Sequence, residues 1–375
     1  MNHADLIKQM TLEEKASFCS GLDYWHTPGI ERLGIPVVMW TDGPHGIRKR
    51  AEKMDKEQAT SLKGVPAICY PTAATTACSW DPDLIYEMGV LLGEECLKEQ
   101  VSVLLGPGTN IKRSPLCGRN FEYFSEDPYL AGEISAAFVN GVQSKGIGTS
   151  LKHFAVNNQE LNRLANNSVL SERTLREIYL RNFEIAVKES QPWTIMTSYN
   201  FINGEHAAES HRLLTDILRG EWGFEGAVMT DWGGGYDDAA IVRAGNEMIQ
   251  PGSDERYMNV LNAIKDGSLS MSDVDLAIER ILKLVIMTPK FKGYAPSESP
   301  DLKAHAQVCK KVADEGVIML KNEGSTLPIS LDKEVALLSP EEVADKLAVV
   351  PAVEAWCKAL QEQALRTALS GVAIP

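Results

Sequence analysis

The chain has 375 residues, 44% hydrophobic and 23% charged, the proportions of a folded globular protein with room for one large α/β domain or two ordinary ones. Its 37 Lys and Arg against 51 Asp and Glu leave a net charge of -14, which argues against a nucleic-acid binder or a basic membrane-surface protein. No stretch approaches the ~20 uninterrupted apolar residues of a membrane-crossing helix. Met1 to Leu22 mixes Asp, Lys and Glu with apolar residues at helical spacing, so a helix is expected there rather than a signal peptide. The 7 cysteines are scattered and never spaced as CxxC, which argues against a zinc ribbon and a disulfide framework and fits a reducing cytoplasm.

Along the chain, short apolar runs recur, each followed by polar or glycine-rich residues and then a helical pattern. Pro36 to Trp40 leads to Thr41-Asp42-Gly43-Pro44, Val101 to Leu105 to Gly106-Pro107-Gly108, and Gly148 to Leu151 to Lys152-His153. Trp193 to Met196 leads to Thr197-Ser198-Tyr199-Asn200, Ala227 to Met229 to Thr230-Asp231-Trp232-Gly233, and Asn246 to Gln250 to Pro251-Gly252. Helical stretches such as Glu172 to Lys188 lie between them. Alternation of this kind implies a parallel sheet, and six or so units favour a (β/α) TIM-type barrel, with room for irregular units, over a doubly wound sheet. Either fold gathers the polar residues at one edge, the carboxyl ends of the strands. Val274 to Val285 carries a core-facing stripe at 274, 277, 278, 281, 282 and 285, with Ser272 or Asp273 as its expected cap. A break at Pro289 to Pro300 precedes a helix from Asp301 to about Glu315, and Gly316 to Leu320 reads as a strand before a turn at Glu323-Gly324-Ser325. Beyond Lys333 the pattern changes. Ser339-Pro340-Glu341-Glu342 reads as a helix start, and a second helix is expected from Pro351 to Leu369.

Asp231 stands first among residues able to carry chemistry. A carboxylate at the end of an apolar strand, with three glycines behind it, suits a nucleophile or base; a turn-forming Asp is the plain alternative. Lys152-His153, at a similar place, suits hydroxyl or anion binding or acid/base work, and is otherwise a solvated pair. Asp42 precedes Arg48 by six residues across a Gly-Pro turn, an arrangement that a surface salt bridge would equally explain. The run Gly118 to Pro128 mixes charge and aromatics as a sugar-binding loop would, though aromatics covering a barrel edge would look the same. The fingerprints GxGxxG, GxxxxGK[ST], HExxH and GxSxG are absent, so nucleotide binding, a metal centre and a serine hydrolase find no support, and no cofactor is expected.

Together these pieces resemble glycoside hydrolase family 3, the β-glucosidase family. The resemblance rests on Thr41-Asp42-Gly43-Pro44-His45-Gly46-Ile47-Arg48, Tyr70-Pro71-Thr72-Ala73, Leu105 to Ile111, Pro115 to Pro128, Lys152 to Glu160, Met196 to Asn200, Val228 to Trp232 and Pro251-Gly252. These motifs are long, stand in the family's order and span roughly residues 5 to 338. The resemblance implies a retaining exo-hydrolase of terminal β-linked glucosides, with Asp231 as nucleophile and a covalent glycosyl-enzyme. Asp42, Arg48, Arg119, Lys152, His153, Arg163 and Tyr199 would hold the sugar, and Trp232 would stack against it or line the entrance. Nearby cations are expected to keep Asp231 ionised.

The resemblance ends early. Family members of this kind carry a second α/β domain that contributes the acid/base Glu; here the similarity reaches only its first strand, Glu334 to Leu338. Members without that domain use an Asp-His pair in the loop after Lys-His, and Ala155 to Glu160 lacks it, leaving Glu160, Glu126, or a carboxylate from a partner subunit or the tail as substitutes. The expected layout is a barrel over 1–315, a linker and first strand over 316–338, and a helical tail over 339–375. A sugar-binding remnant without turnover, or a dimeric scaffold joined through the Val353/Trp356/Leu360 stripe, are the rival readings.

Overall fold

Five of the apolar runs form parallel strands, Trp40–Asp42, Val103–Leu105, Gly148–Phe154, Thr194–Thr197 and Ala227–Met229, lying side by side in chain order. The pairing runs Trp40 to Val103, Val103 to Gly148, Ser150 to Thr194 and Thr194 to Ala227. An order that never reverses belongs to a barrel, because a doubly wound sheet changes direction at a switch point. These strands belong to a computed structural model that describes residues 3–50, 64–293, 300–325 and 327–329. It divides into two units, Met1–Ile318 and Met319–Pro375. In the second, the Asn322 side chain clasps Leu327 through both its carbonyl and its amide, at 2.7 and 3.0 Å.

The sixth run, Asn246 to Gln250, is no regular strand. It meets the fifth by a single parallel bridge between Met229 and Met248, with Thr230 donating to the Met248 carbonyl at 2.9 Å. Its other face turns to the N-terminal segment, where Ile249 donates to Cys19 and Gly252 to Asp23, each at 2.9 Å. Trp40 donates to Trp25 at 3.0 Å, so residues 19–25 bridge the sixth run to the first strand. The result is a TIM-type barrel whose closing arc is irregular chain.

Helices cover this wall, and their caps follow from sequence. Asp81 and Asp127 each cap a helix with proline in its first turn, Pro82–Lys98 and Pro128–Gln143. Met271–Met287 buries the expected stripe, including Val274, Ile278, Ile281 and Val285, but its cap is Ser270, whose hydroxyl accepts from the Asp273 amide at 3.2 Å. Glu172 to Lys188 is not one continuous α-helix: a π-turn over Leu175–Tyr179 lets the Leu180 amide reach back to Leu175 at 2.9 Å before Arg181–Ser190 resumes. The first strand starts at Trp40 rather than Pro36, since Pro36 has no amide proton to pair and Val37 is 39% exposed. Leu302–Gly316 is helical with Asp301 as cap, so Gly316 ends a helix, and the expected strand to Leu320 is exposed unpaired chain. The first strand expected at 334–338 and the tail at 339–375 lie outside the described residues.

Candidate active site

The strands deliver their polar residues to one rim. Asp42 ends the first strand, Lys152 and His153 lie inside the third rather than after it, and Asp231 follows the fifth. The turn after Asp42 closes when Arg48 donates its amide to the Asp42 carbonyl at 2.9 Å. Gly43 and Gly46 sit at φ of 130° and 128°, where a Cβ would stand 2.2 Å from the carbonyl oxygens of Gly46 and Ile68. A cleft of about 900 Å³ opens here, lined by Asp42, Arg48, Arg119 and Arg163 with Glu122 and Glu160.

Beneath the cleft, charges are paired layer by layer. Lys152 donates to Asp42 Oδ1 at 2.8 Å, while Arg48 stands 3.6 Å from Oδ2 and is mostly exposed. Burial would raise the Asp42 carboxyl, but Lys152 and Arg48 outweigh it and hold the group below the ordinary aspartate range. Lys152, though buried, is pushed upward by Asp42 and Glu122 and stays charged. Arg119 binds Glu122 through Nε and meets His153 Nε2 through Nη2 at 2.7 Å. Arg163 donates to Glu160 at 3.2 Å and lies over the Tyr199 ring, 4.7 Å from its centroid.

Asp231 is only 8% exposed. Its Oδ1 accepts from the Trp232 amide at 2.7 Å, and its Oδ2 lies 3.5 Å from His153 Nε2 with no hydrogen-bond partner among the described residues. Burial raises its pKa above the ordinary aspartate range; Arg119, the Trp232 amide and Lys152 pull it back without cancelling the rise. The cations expected to favour the ionised carboxylate do act on it, while the cost of desolvation leaves its pKa above the ordinary range. Tyr199 spends its hydroxyl on the Trp232 carbonyl at 2.9 Å. Trp232 donates its indole N–H to Tyr24 at 3.0 Å and packs with Tyr24 and Trp25, at 6.0 and 5.5 Å between ring centroids.

The model of the glycosyl hydrolase family 3 N terminal domain matches residues 24–284. The chain belongs to glycosyl hydrolase family 3. It is 50% identical over 334 residues to thermostable beta-glucosidase B of Acetivibrio thermocellus, covering 89% of this chain and 44% of that protein. It is 48% identical over 347 residues to the exo-alpha-(1->6)-L-arabinopyranosidase of Bifidobacterium breve, covering 92% of this chain and 45% of that one. The solved beta-glucosidase 3B from Thermotoga neapolitana, in complex with alpha-D-glucose, superposes with a TM-score of 0.82 at 40% identity, over 88% of this chain and 48% of its own. The chain thus spans under half the length of each of these family 3 relatives.

Within this family 3 barrel, the nine sequence-predicted residues divide by depth. Asp42, Arg48, Arg119 and Arg163 line the cleft, whereas Lys152 and His153 are buried at 4% and 1% exposure with partners of their own. Tyr199 and Trp232 flank Asp231 from the loop side. Sequence reasoning passed over four supporting residues. Glu122 and Tyr123 lay inside the charged aromatic run without a role, and Asn157 was hidden in the loop after Lys-His. Asn110 clasps the His153 backbone by exchanging two bonds of 2.9 Å, a pairing across 43 residues that no local pattern announces.

Proposed function

We propose that the chain carries the nucleophilic half of a retaining β-glucosidase. Asp231 Oδ2 attacks the anomeric carbon of a terminal β-linked glucosyl residue, the bond to the leaving oxygen breaks with its electron pair, and a glucosyl ester forms on Asp231. The observation that carries this reading is the buried Oδ2 without a hydrogen-bond partner among the described residues, near Lys152 and the cleft-lining Arg119. Asp42, Arg48, Arg119 and Arg163 would bind the sugar hydroxyls directly. Lys152 would act through Asp42 and His153 through Arg119, while Tyr199 and Trp232 would shape the wall around the anomeric carbon.

The leaving oxygen needs a proton that this cleft is poorly equipped to give. Asp42, Glu122 and Glu160 are each engaged by a cation, Glu160 also accepting from Asn157 at 3.2 Å, and Glu126 is exposed with no bond to the site. That observation favours a second reading, a sugar-binding protein with little turnover. The sugar is proposed to be glucose, with a pentopyranose as the competitor that the arabinopyranosidase relative suggests.

Mass spectrometry of the intact protein after mixing with dinitrophenyl β-glucoside tests both. A glucosyl adduct on Asp231, absent from Asp231→Asn while that variant still binds glucose by calorimetry, supports the nucleophile. Binding with no adduct in the wild type leaves the sugar-binding reading. An Asp231→Asn variant that turns over normally rules Asp231 out.

A further inference from the structure

His153 sits between the cleft floor and Asp231, and its ring can hold its protons in three ways. Both nitrogens are engaged: Nδ1 lies 3.1 Å from Tyr123 Oη, and Nε2 lies 2.7 Å from Arg119 Nη2 and 3.5 Å from Asp231 Oδ2. Complete burial and the positive charges of Arg119, Lys152 and Arg163 push the ring well below its usual pKa, so it is neutral and carries one proton. A guanidinium has donors only. At 2.7 Å from Arg119, Nε2 must therefore accept, and the proton is left on Nδ1.

The other side of the ring agrees independently. Asn157 donates from Nδ2 to Glu160 Oε1 at 3.2 Å, and a carboxylate oxygen that also faces Arg119 at 4.0 Å fixes which end of the amide points there. The same Nδ2 lies 2.9 Å from Tyr123 Oη, which consequently accepts. Burial also holds the Tyr123 phenol protonated. Its oxygen then takes one N–H from Asn157 and one from His153 Nδ1, using both lone pairs.

We propose that Tyr123 is a positioning residue, which with Asn157 locks His153 as the Nδ1–H tautomer and so keeps Nε2 bare toward Asp231. The opposite tautomer would aim an N–H at Oδ2, blunting the oxygen meant to attack, and would repel Arg119. The lock does both tasks at once: Arg119 stays anchored over the cleft, and Oδ2 keeps its lone pairs free. The consequence for catalysis rests on Asp231 being the nucleophile; the tautomer itself does not.

Two-bond proton–nitrogen spectra of the full chain labelled with ¹⁵N-histidine test the proposal, the His153 signals being assigned by their loss in His153→Gln. The expected wild-type spectrum has Nδ1 protonated and Nε2 bare at neutral pH. In Tyr123→Phe the Nε2–H form grows in, and adduct formation on Asp231 slows by about tenfold while glucose affinity changes less. A wild-type ring protonated at Nε2, or at both nitrogens, overturns the lock whatever the activity, and needs no variant to fold. A Tyr123→Phe spectrum identical to wild type overturns the role of Tyr123. The expected pair of spectra supports the lock even where no adduct forms, a result that counts against the nucleophile alone.

Discussion

Two aspartates of one candidate site are displaced in opposite directions, and pH separates them. Asp42 is held low by Lys152, so it contributes stability that is present above the unfolded value of ~3.9 and is lost as pH falls through its folded value. Asp231 is held high by burial, so its contribution has the opposite sign: present below ~3.9 and lost as pH rises through the folded value. In the proposed mechanism the ionised form of Asp231 is the one that attacks. Glucosylation should therefore rise with pH along a limb whose midpoint lies above ~3.9. Arg119 is the strongest of the groups lowering Asp231, so Arg119→Gln should move that midpoint higher still. Stopped-flow release of dinitrophenol across pH measures both; a wild-type midpoint at or below ~3.9, or a downward shift in the variant, would sink the assignment. At this scale the sequence was half legible. Asp231 announces itself as a carboxylate between a strand and glycines, whereas the Tyr123 contact to His153 spans 30 residues and exists only once two loops have packed.

The elements that aim Asp231 are held by one buried charge cluster. Glu247 is 1% exposed and receives Arg219 from the helical turn Arg212–Glu221 at 2.8 Å and Arg280 from Met271–Met287 at 2.6 Å. Its Oε2 also accepts the amide of Val228 in the fifth strand at 2.5 Å. Glu247 stands directly before Met248–Gln250, whose carbonyls take the amides of Thr230 and Gly233 on either side of Asp231. Glu247→Gln would leave two partly buried guanidinium groups short of their anion, a loss approaching the ~3–5 kcal/mol of a broken buried pair. Urea unfolding should show that fall, with a disordered Asp231 loop and slower adduct formation; a midpoint within error of wild type would mean that the cluster is decoration. A steric counterpart lies on the outer layer. A Cβ on Gly141 would stand 2.2 Å from the Tyr86 carbonyl, so Gly141→Ala should force Pro82–Lys98 and Pro128–Gln143 apart and lower stability without moving the pH limb. The sequence displayed these elements unevenly. Periodicity marked Met271–Met287 because a helix stripe is local, but the sixth run resembled its neighbours while its partners, Cys19 and Asp23, lie far back in the chain.

The proposed mechanism gives the molecule a nucleophile, while each carboxyl group lining the cleft, Asp42, Glu122 and Glu160, is engaged by a cation and so poorly placed to serve as acid. Matching 44% of one relative and 45% of another is enough to span the barrel but leaves more than half of each unmatched. General acid catalysis is typically worth ~100- to 10,000-fold, and the same group returns as the base that activates water in the second step. Two consequences follow for this chain. A leaving group that departs as a stable anion needs no proton, so aryl β-glucosides should react while cellobiose does not. The glucosyl ester should then wait, because water without a base attacks slowly. Azide is already an anion and needs no base, so it should take the glucosyl group from Asp231 and give β-glucosyl azide, with the configuration retained after two inversions. Steady-state nitrophenol release should rise with azide by a large part of that ~100- to 10,000-fold. Product analysis by NMR then reads the stereochemistry directly. An azide-independent rate with cellobiose cleaved as readily as the aryl glucoside would place a working acid/base in this chain. An α-linked azide, or an azide effect that persists in Asp231→Asn, would remove the covalent step from Asp231.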